Sequence, residues 1–171
     1  MRLLLLAFVL SLPATSFAAE PSAYAGSFAL ADAEATKVAI EGAVEQGAQQ
    51  FPALFRPLAR TTLRRVVKAV DTFTFEPGAN SMLIRTELNP DGWTTDLAGT
   101  QVQRTNPKGD TVDIKRWMEG GNLRAKACTD AGCSEFTWAL TSDSKGLSLH
   151  VITSSERLED PLTYTLVYAR K

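Results

Sequence analysis

Leu162-Thr163-Tyr164-Thr165-Leu166-Val167-Tyr168-Ala169-Arg170 places Leu162, Tyr164, Leu166 and Tyr168 on one face of an extended chain and Thr163, Thr165, Val167 and Ala169 on the other. Successive strand side chains point to opposite faces, so this run reads as an interior-facing closing strand. The same alternation recurs upstream in Leu147, Leu149 and Val151, in Phe136, Trp138 and Leu140, in Val112, Ile114 and Arg116, and in Phe73 and Phe75. Turn chemistry separates these runs at Pro77-Gly78-Ala79-Asn80, Asn89-Pro90-Asp91-Gly92, Asn106 to Asp110, Glu119-Gly120-Gly121-Asn122, Asp130-Ala131-Gly132, Asp143 to Gly146 and Glu159-Asp160-Pro161. Gly, Asn, Asp and Pro supply the dihedrals that tight reversals need. The seven turns predict a meander of about eight antiparallel strands. A long sheet with one apolar face must close or sandwich to hide its edges, and small closed barrels commonly enclose apolar ligands.

Ahead of the meander, Ala23 to Leu30 reads as a first strand and two helical stretches follow, at about 32–50 and 53–70. In the first, Asp32 is an N-cap candidate, Ile40, Val44 and Phe51 share a stripe, and Pro52 stops the helix. In the second, Phe55, Ala59, Leu63, Val66 and Val70 form an apolar stripe, with Pro57 fitting the first turn. The first helix is mostly acidic, through Asp32, Glu34, Glu41 and Glu45, whereas the second carries Arg56, Arg60, Arg64, Arg65 and Lys68 and no acid. Arg56, Arg60, Arg64 and Lys68 recur every fourth residue as one basic stripe. Such a stripe suits an anionic surface, or else a solvated face paired in part with the acidic neighbouring helix.

Met1-Arg2 precedes an apolar run, Leu3 to Leu12, then Pro13 and small residues to Ala19. This has the form of a secretory signal peptide over 1–18, cleaved after Ala18 or Ala19, and its apolar run is shorter than the roughly 20 residues a membrane span needs. A mature chain of about 153 residues fits a single domain over 19–171, without a transmembrane segment, with no internal repeat or linker to divide it. Its 17 basic and 19 acidic residues give a net charge of −2, which offers no field for nucleic acid. The expected address is secreted or periplasmic. In such a compartment Cys128 and Cys133, bracketing Thr129-Asp130-Ala131-Gly132, read as a disulfide clamping a hairpin. With a single histidine, His150, and no third cysteine, a metal site lacks ligands.

One strand, a helical pair, then a meander ending in an aromatic-rich strand is the element order of the fatty-acid-binding proteins and, more loosely, the lipocalins. From Tyr24 to Lys171 the chain resembles this calycin group, with Gly26-Ser27-Phe28 standing where lipocalins carry a glycine-x-tryptophan start. Ser155 to Tyr164 also resembles the ending of a group of secreted bacterial proteins. The resemblance implies a mainly β fold with an N-terminal helical pair (α+β), closed as an antiparallel up-and-down barrel of about 8–10 strands. Fatty-acid-binding proteins grip a ligand carboxylate through Arg-x-Tyr on the last strands; here the order is Tyr168-Ala169-Arg170, and Arg170, one residue from the end, is expected to fray.

For a barrel of this kind the candidate cavity residues are Arg104, Arg116, Phe136, Trp138, Tyr164 and Tyr168. Val102 shares a face with Arg104 and Ile114 with Arg116, so either arginine, if inward, would be a costly buried charge until a ligand carboxylate or an acid such as Glu156 paired it. The alternative places both at strand ends in water. His150, between Leu149 and Val151, should point outward. No glycine-flanked serine, His-Glu-x-x-His or phosphate loop is present, and no cofactor motif is recognisable. The expectation is a secreted, non-enzymatic binding protein for an apolar or amphipathic, lipid-like small molecule. The alternative is an envelope-associated scaffold that docks an acidic partner or anionic lipid through the basic helix 56–68.

Overall fold

A computed structural model describes residues 19–171; the signal-peptide reading of 1–18 lies outside them. Strand β1 (Gly26–Leu30) leads into helices α1 (Ala33–Gln49) and α2 (Arg56–Val66). Nine strands follow: β2 (Thr72–Pro77), β3 (Ser81–Thr86), β4 (Asn89–Asp96), β5 (Val102–Thr105), β6 (Thr111–Glu119), β7 (Asn122–Thr129), β8 (Gly132–Leu140), β9 (Gly146–Ser154) and β10 (Leu162–Arg170). All pairings are antiparallel, in the order β4-β3-β2-β1-β10-β9-β8-β7-β6-β5. The fold is therefore mainly β, a nearly closed up-and-down barrel of ten strands with a helical pair inserted after the first.

β10 is the closing strand, laddered to β9 on one side and to β1 on the other. Its alternation is realised: Leu162, Leu166 and Tyr168 are buried, while Thr163, Thr165, Val167 and Ala169 are exposed. His150 pairs with Thr165 on the outer face, its Nδ1 lying 3.1 Å from the threonine hydroxyl. The N-terminal end differs from the sequence reading, because Pro21–Tyr24 is a 3-10 turn and only Gly26 onward is strand. That turn sets Tyr24 into the barrel's far end, where its hydroxyl donates to the Trp138 carbonyl (2.7 Å) and accepts from the Leu123 amide (3.0 Å). Burial raises the Tyr24 phenol above its ordinary pKa.

Asn89-Pro90-Asp91-Gly92 does not reverse the chain. The reversal falls two residues earlier, at Glu87-Leu88, and the register shifts between Ile84 and Thr86. Gly92, at φ +68, lies inside β4, and a Cβ there would sit 2.6 Å from the Ile84 carbonyl oxygen. Its turn chemistry serves an irregular, close-packed strand pairing.

α1 begins where Asp32 accepts from the Glu34 and Ala35 amides, both at 2.9 Å. It lies against β10 through Gly47, where a Cβ would come within 2.8 Å of both Leu162 and Leu63 side chains. The helices and this end of the barrel thus share one small core: Ala43, Val44, Ala48, Ala59, Leu63, Val67 and Leu162. α2 ends at Val66, four residues short of the expected 70. The β-branched Val66-Val67 pair favours leaving the helix, and Val67, extended and 3% exposed, turns the chain down into the core.

Candidate ligand-binding site

Antiparallel partners share a face, so the register stacks the inward side chains of β6 to β10 in rows. Nearest the helices the row is Ile114, Ala127, Ser134, Thr153 and Leu162; next comes Arg116, Ala125, Phe136, Val151 and Tyr164; then Met118, Leu123, Trp138, Leu149 and Leu166. The far half of the lumen is a packed core. Tyr24, Phe28, Met82, Leu123, Leu147 and Tyr168 have no exposed surface, and Phe73 meets Tyr168 and Trp138 edge-on at 5.3 and 5.9 Å. Nearer the helices the lumen loosens, for Trp93, Val102, Phe136 and Tyr164 all face inward yet are only partly buried.

Above this looser half opens a groove of about 1080 Å³, lined on one side by α2 and on the other by the β7–β8 and β9–β10 connections. Its wall on α2 is Leu58, Ala59, Thr62, Leu63 and Val66, joined by Phe51 and Phe55, and Leu162, Ser134 and Thr153 bring it onto the barrel rim. The groove exists because only part of the apolar stripe of α2 is used in packing. Ala59 and Leu63 are buried beside α1, but Phe55, Leu58 and Val66 remain 54%, 67% and 62% exposed. Exposed apolar side chains facing a concave, mostly apolar wall are the common form of a hydrophobic ligand site.

The candidate cavity residues separate into three groups. Trp138 and Tyr168 belong to the packed core; the Tyr168 hydroxyl donates to the Val70 carbonyl (2.9 Å), and burial raises its pKa. Phe136 and Tyr164 line the looser half, with burial pushing the Tyr164 phenol up to about 12. Arg104 and Arg116 occupy the barrel's one unladdered stretch, between β4 and the β5–β6 hairpin. There Ala98 and Trp117 form an isolated bridge, and the Gly99 amide donates to the Arg116 carbonyl (2.9 Å).

Arg116 is 4% exposed, so the strand-end alternative does not hold for it. Its Nη1 donates to the carbonyls of Trp93 (2.6 Å) and Met82 (3.0 Å) and to the Thr95 hydroxyl (3.2 Å). Arg104, only partly buried, donates through Nη2 to the Thr94 carbonyl at 3.2 Å. The two guanidinium groups therefore lace the seam from β5 and β6 onto β3 and β4. No carboxylate among the described residues pairs Arg116, and Glu156 is exposed in the β9–β10 connection. Desolvation, together with Arg104 nearby, lowers the Arg116 guanidinium to about 10, leaving it cationic at neutral pH.

The basic stripe of the second helix is largely committed. Arg60 Nε donates to Glu45 (2.7 Å) and Arg64 Nη2 to Glu41 (2.7 Å), which ties α2 to α1, and Arg56 Nε donates to the Phe51 carbonyl (3.1 Å). Arg170 does not fray: its guanidinium donates to the carbonyls of Ser144 (2.8 Å), Ala23 (2.7 Å) and Ala25, and stacks 4.5 Å from the Phe28 ring. The penultimate residue is held because the 3-10 turn presents carbonyls to it, a feature the sequence reading missed. Cys128 and Cys133 are directly opposite across the β7–β8 hairpin and disulfide-bonded, at the rim of the groove. Among the described residues no group of three or more His, Cys, Asp or Glu could hold a metal, and no helix is long and apolar enough to cross a membrane.

No family model matches this sequence, and no curated protein matches it. Solved structures do match the fold. Lipid binding protein 8 of Caenorhabditis elegans superposes with a TM-score of 0.56 at 11% identity, covering 90% of this chain and 99% of that one. Fatty-acid-binding protein 1 of Echinococcus granulosus gives 0.53 at 12% identity, covering 87% and 98%. The zebrafish ileal bile acid-binding protein, complexed with cholic acid, gives 0.53 at 10% identity, covering 87% and 99%. These likenesses show the fold: a calycin-like antiparallel up-and-down barrel, shared with those proteins at 10–12% identity.

Proposed function

We propose that this chain is a non-enzymatic carrier of an apolar or amphipathic small molecule, acting outside the cytoplasm as one domain over residues 19–171. The observation that carries the reading is the groove beneath α2, about 1080 Å³, which runs from the exposed Phe55, Leu58 and Val66 onto the barrel rim at Ser134, Thr153 and Leu162. The similar structures are binding barrels by their names, for lipid, fatty acid or bile acid, and none of those names is an enzyme's. The Cys128–Cys133 disulfide fits an oxidising compartment, as does the leader-like N-terminus. The basic-helix alternative is the weaker reading, since Arg60 and Arg64 already hold Glu45 and Glu41.

The test is titration with an environment-sensitive fluorescent fatty acid. Saturable uptake near one molecule per chain is expected, weakened at least about tenfold by Leu58→Asp with Val66→Asp, which put charge into the groove at exposed positions. Uptake that never saturates, or that the double variant leaves unchanged, contradicts the reading.

A further inference from the structure

Of the large apolar side chains left exposed among the described residues, four fall within residues 54–66: Leu54, Phe55, Leu58 and Val66, with Leu54 84% exposed. Leu58 and Arg65 are seven residues apart, two turns of α2, so they share a helix face. That face points away from α1, toward which Ala59 and Leu63 pack and Arg60 and Arg64 reach. An uncovered apolar stripe beside a concave wall marks an interaction surface.

The charges around the groove specify the partner. On the helix side, Arg65 and, just past the helix end, Lys68 are exposed and take part in no ion pair among the described residues. On the facing wall, the β7–β8 turn contributes Asp130 and the β9–β10 connection Glu156, both exposed and equally without an ion pair. Glu159 and Asp160 follow on that connection, against the single base Arg157. One patch thus carries a basic, apolar helix ridge and an acidic, apolar hollow, and their opposite charges do not meet within the chain. A surface bearing both halves of a complementary pair is what a two-fold dimer requires, because each subunit presents the same patch.

We propose that this face is an interface between two copies of the chain. The α2 of each copy lies in the groove of the other, covering Leu54, Leu58 and Val66 and setting Arg65 and Lys68 against Asp130 and Glu156 of the second copy. A paired groove is closed to other hydrophobic molecules, so pairing and ligand uptake exclude each other. The interface follows from charge and shape alone and stands apart from the carrier reading.

Sedimentation velocity of the purified protein, from about 10 to 500 µM at low salt, should show a reversible monomer–dimer equilibrium. Arg65→Glu with Lys68→Glu sets acid against acid across the interface, and Asp130→Lys with Glu156→Lys sets base against base. Each double reversal should weaken self-association at least about tenfold. All four positions are exposed, so neither variant should compromise the fold. Mixed one to one, the two variants regain opposite charges at both contacts and should form a heterodimer. Leu58→Asp should weaken pairing as much as either reversal. A protein that stays monomeric throughout, even while its groove takes up a fluorescent fatty acid, overturns the interface and leaves the groove to small molecules. So do dimers that the reversals or Leu58→Asp leave intact, and a mixture of the two variants that stays monomeric.

Discussion

Arg116 Nη1 donates to the Trp93 carbonyl at 2.6 Å, joining β6 to β4 where the barrel has no ladder of its own. A side chain here does what backbone pairing does elsewhere in the sheet, and it does so with a charge taken out of water. Replacing Arg116 with Met should destabilise the protein by about 1–3 kcal/mol, because the carbonyls of Trp93 and Met82 lose their donor. Urea denaturation measures the loss, and amide exchange should quicken first along β4 and β6.

The helix pair should loosen in acid. Arg60 holds the Glu45 carboxyl down at about 2, and Arg64 holds Glu41 below its ordinary value. A carboxyl whose pKa falls on folding stabilises fully above its unfolded value, and that contribution disappears as pH drops through the folded one. Stability should therefore decline between about pH 4.5 and 2. The thermal midpoint over that window should fall less steeply in a Glu41→Gln, Glu45→Gln protein.

Gly47 sets how closely α1 approaches α2 and β10, since a Cβ there would meet Leu63 and Leu162 at 2.8 Å. Gly47→Val should cost about 1–3 kcal/mol through overpacking, despite valine's better helix propensity, as read by thermal denaturation. A neutral result would mean that the leucine ends yield freely.

The Cys128–Cys133 bridge closes a short loop. Its removal by Cys128→Ser with Cys133→Ser should cost about 2 kcal/mol. The accompanying change in ligand uptake should be small, because the hairpin register is fixed equally by the pairs from Leu123–Trp138 to Ala127–Ser134.

The strands were legible because alternation is a local signal: Leu162 to Tyr168 announces both its conformation and its buried face. The helix cap at Asp32 and the hairpin disulfide were legible for the same reason. What required the structure depends on contacts distant in the chain. Gly92 reads as a turn residue until β3 is placed beside it, and Arg170 reads as a frayed end until the 3-10 turn offers it carbonyls. The stripe of α2 reads as one apolar face, yet Phe55 and Val66 are exposed, because α1 covers only the side that carries Ala59 and Leu63. The sequence left Arg116 open between an inward arginine and one at a strand end in water; that it is buried without an acid, with its Nε unbonded, follows from the seam between β4 and β6.

Native mass spectrometry with lipid extraction, on the purified protein before and after exposure to palmitic acid, tests the carrier reading most directly. One hydrophobic molecule bound per chain, carried through purification or acquired on exposure, is the predicted result. A clean apo mass in both samples, with no saturable uptake in solution, would contradict it and make the barrel a scaffold.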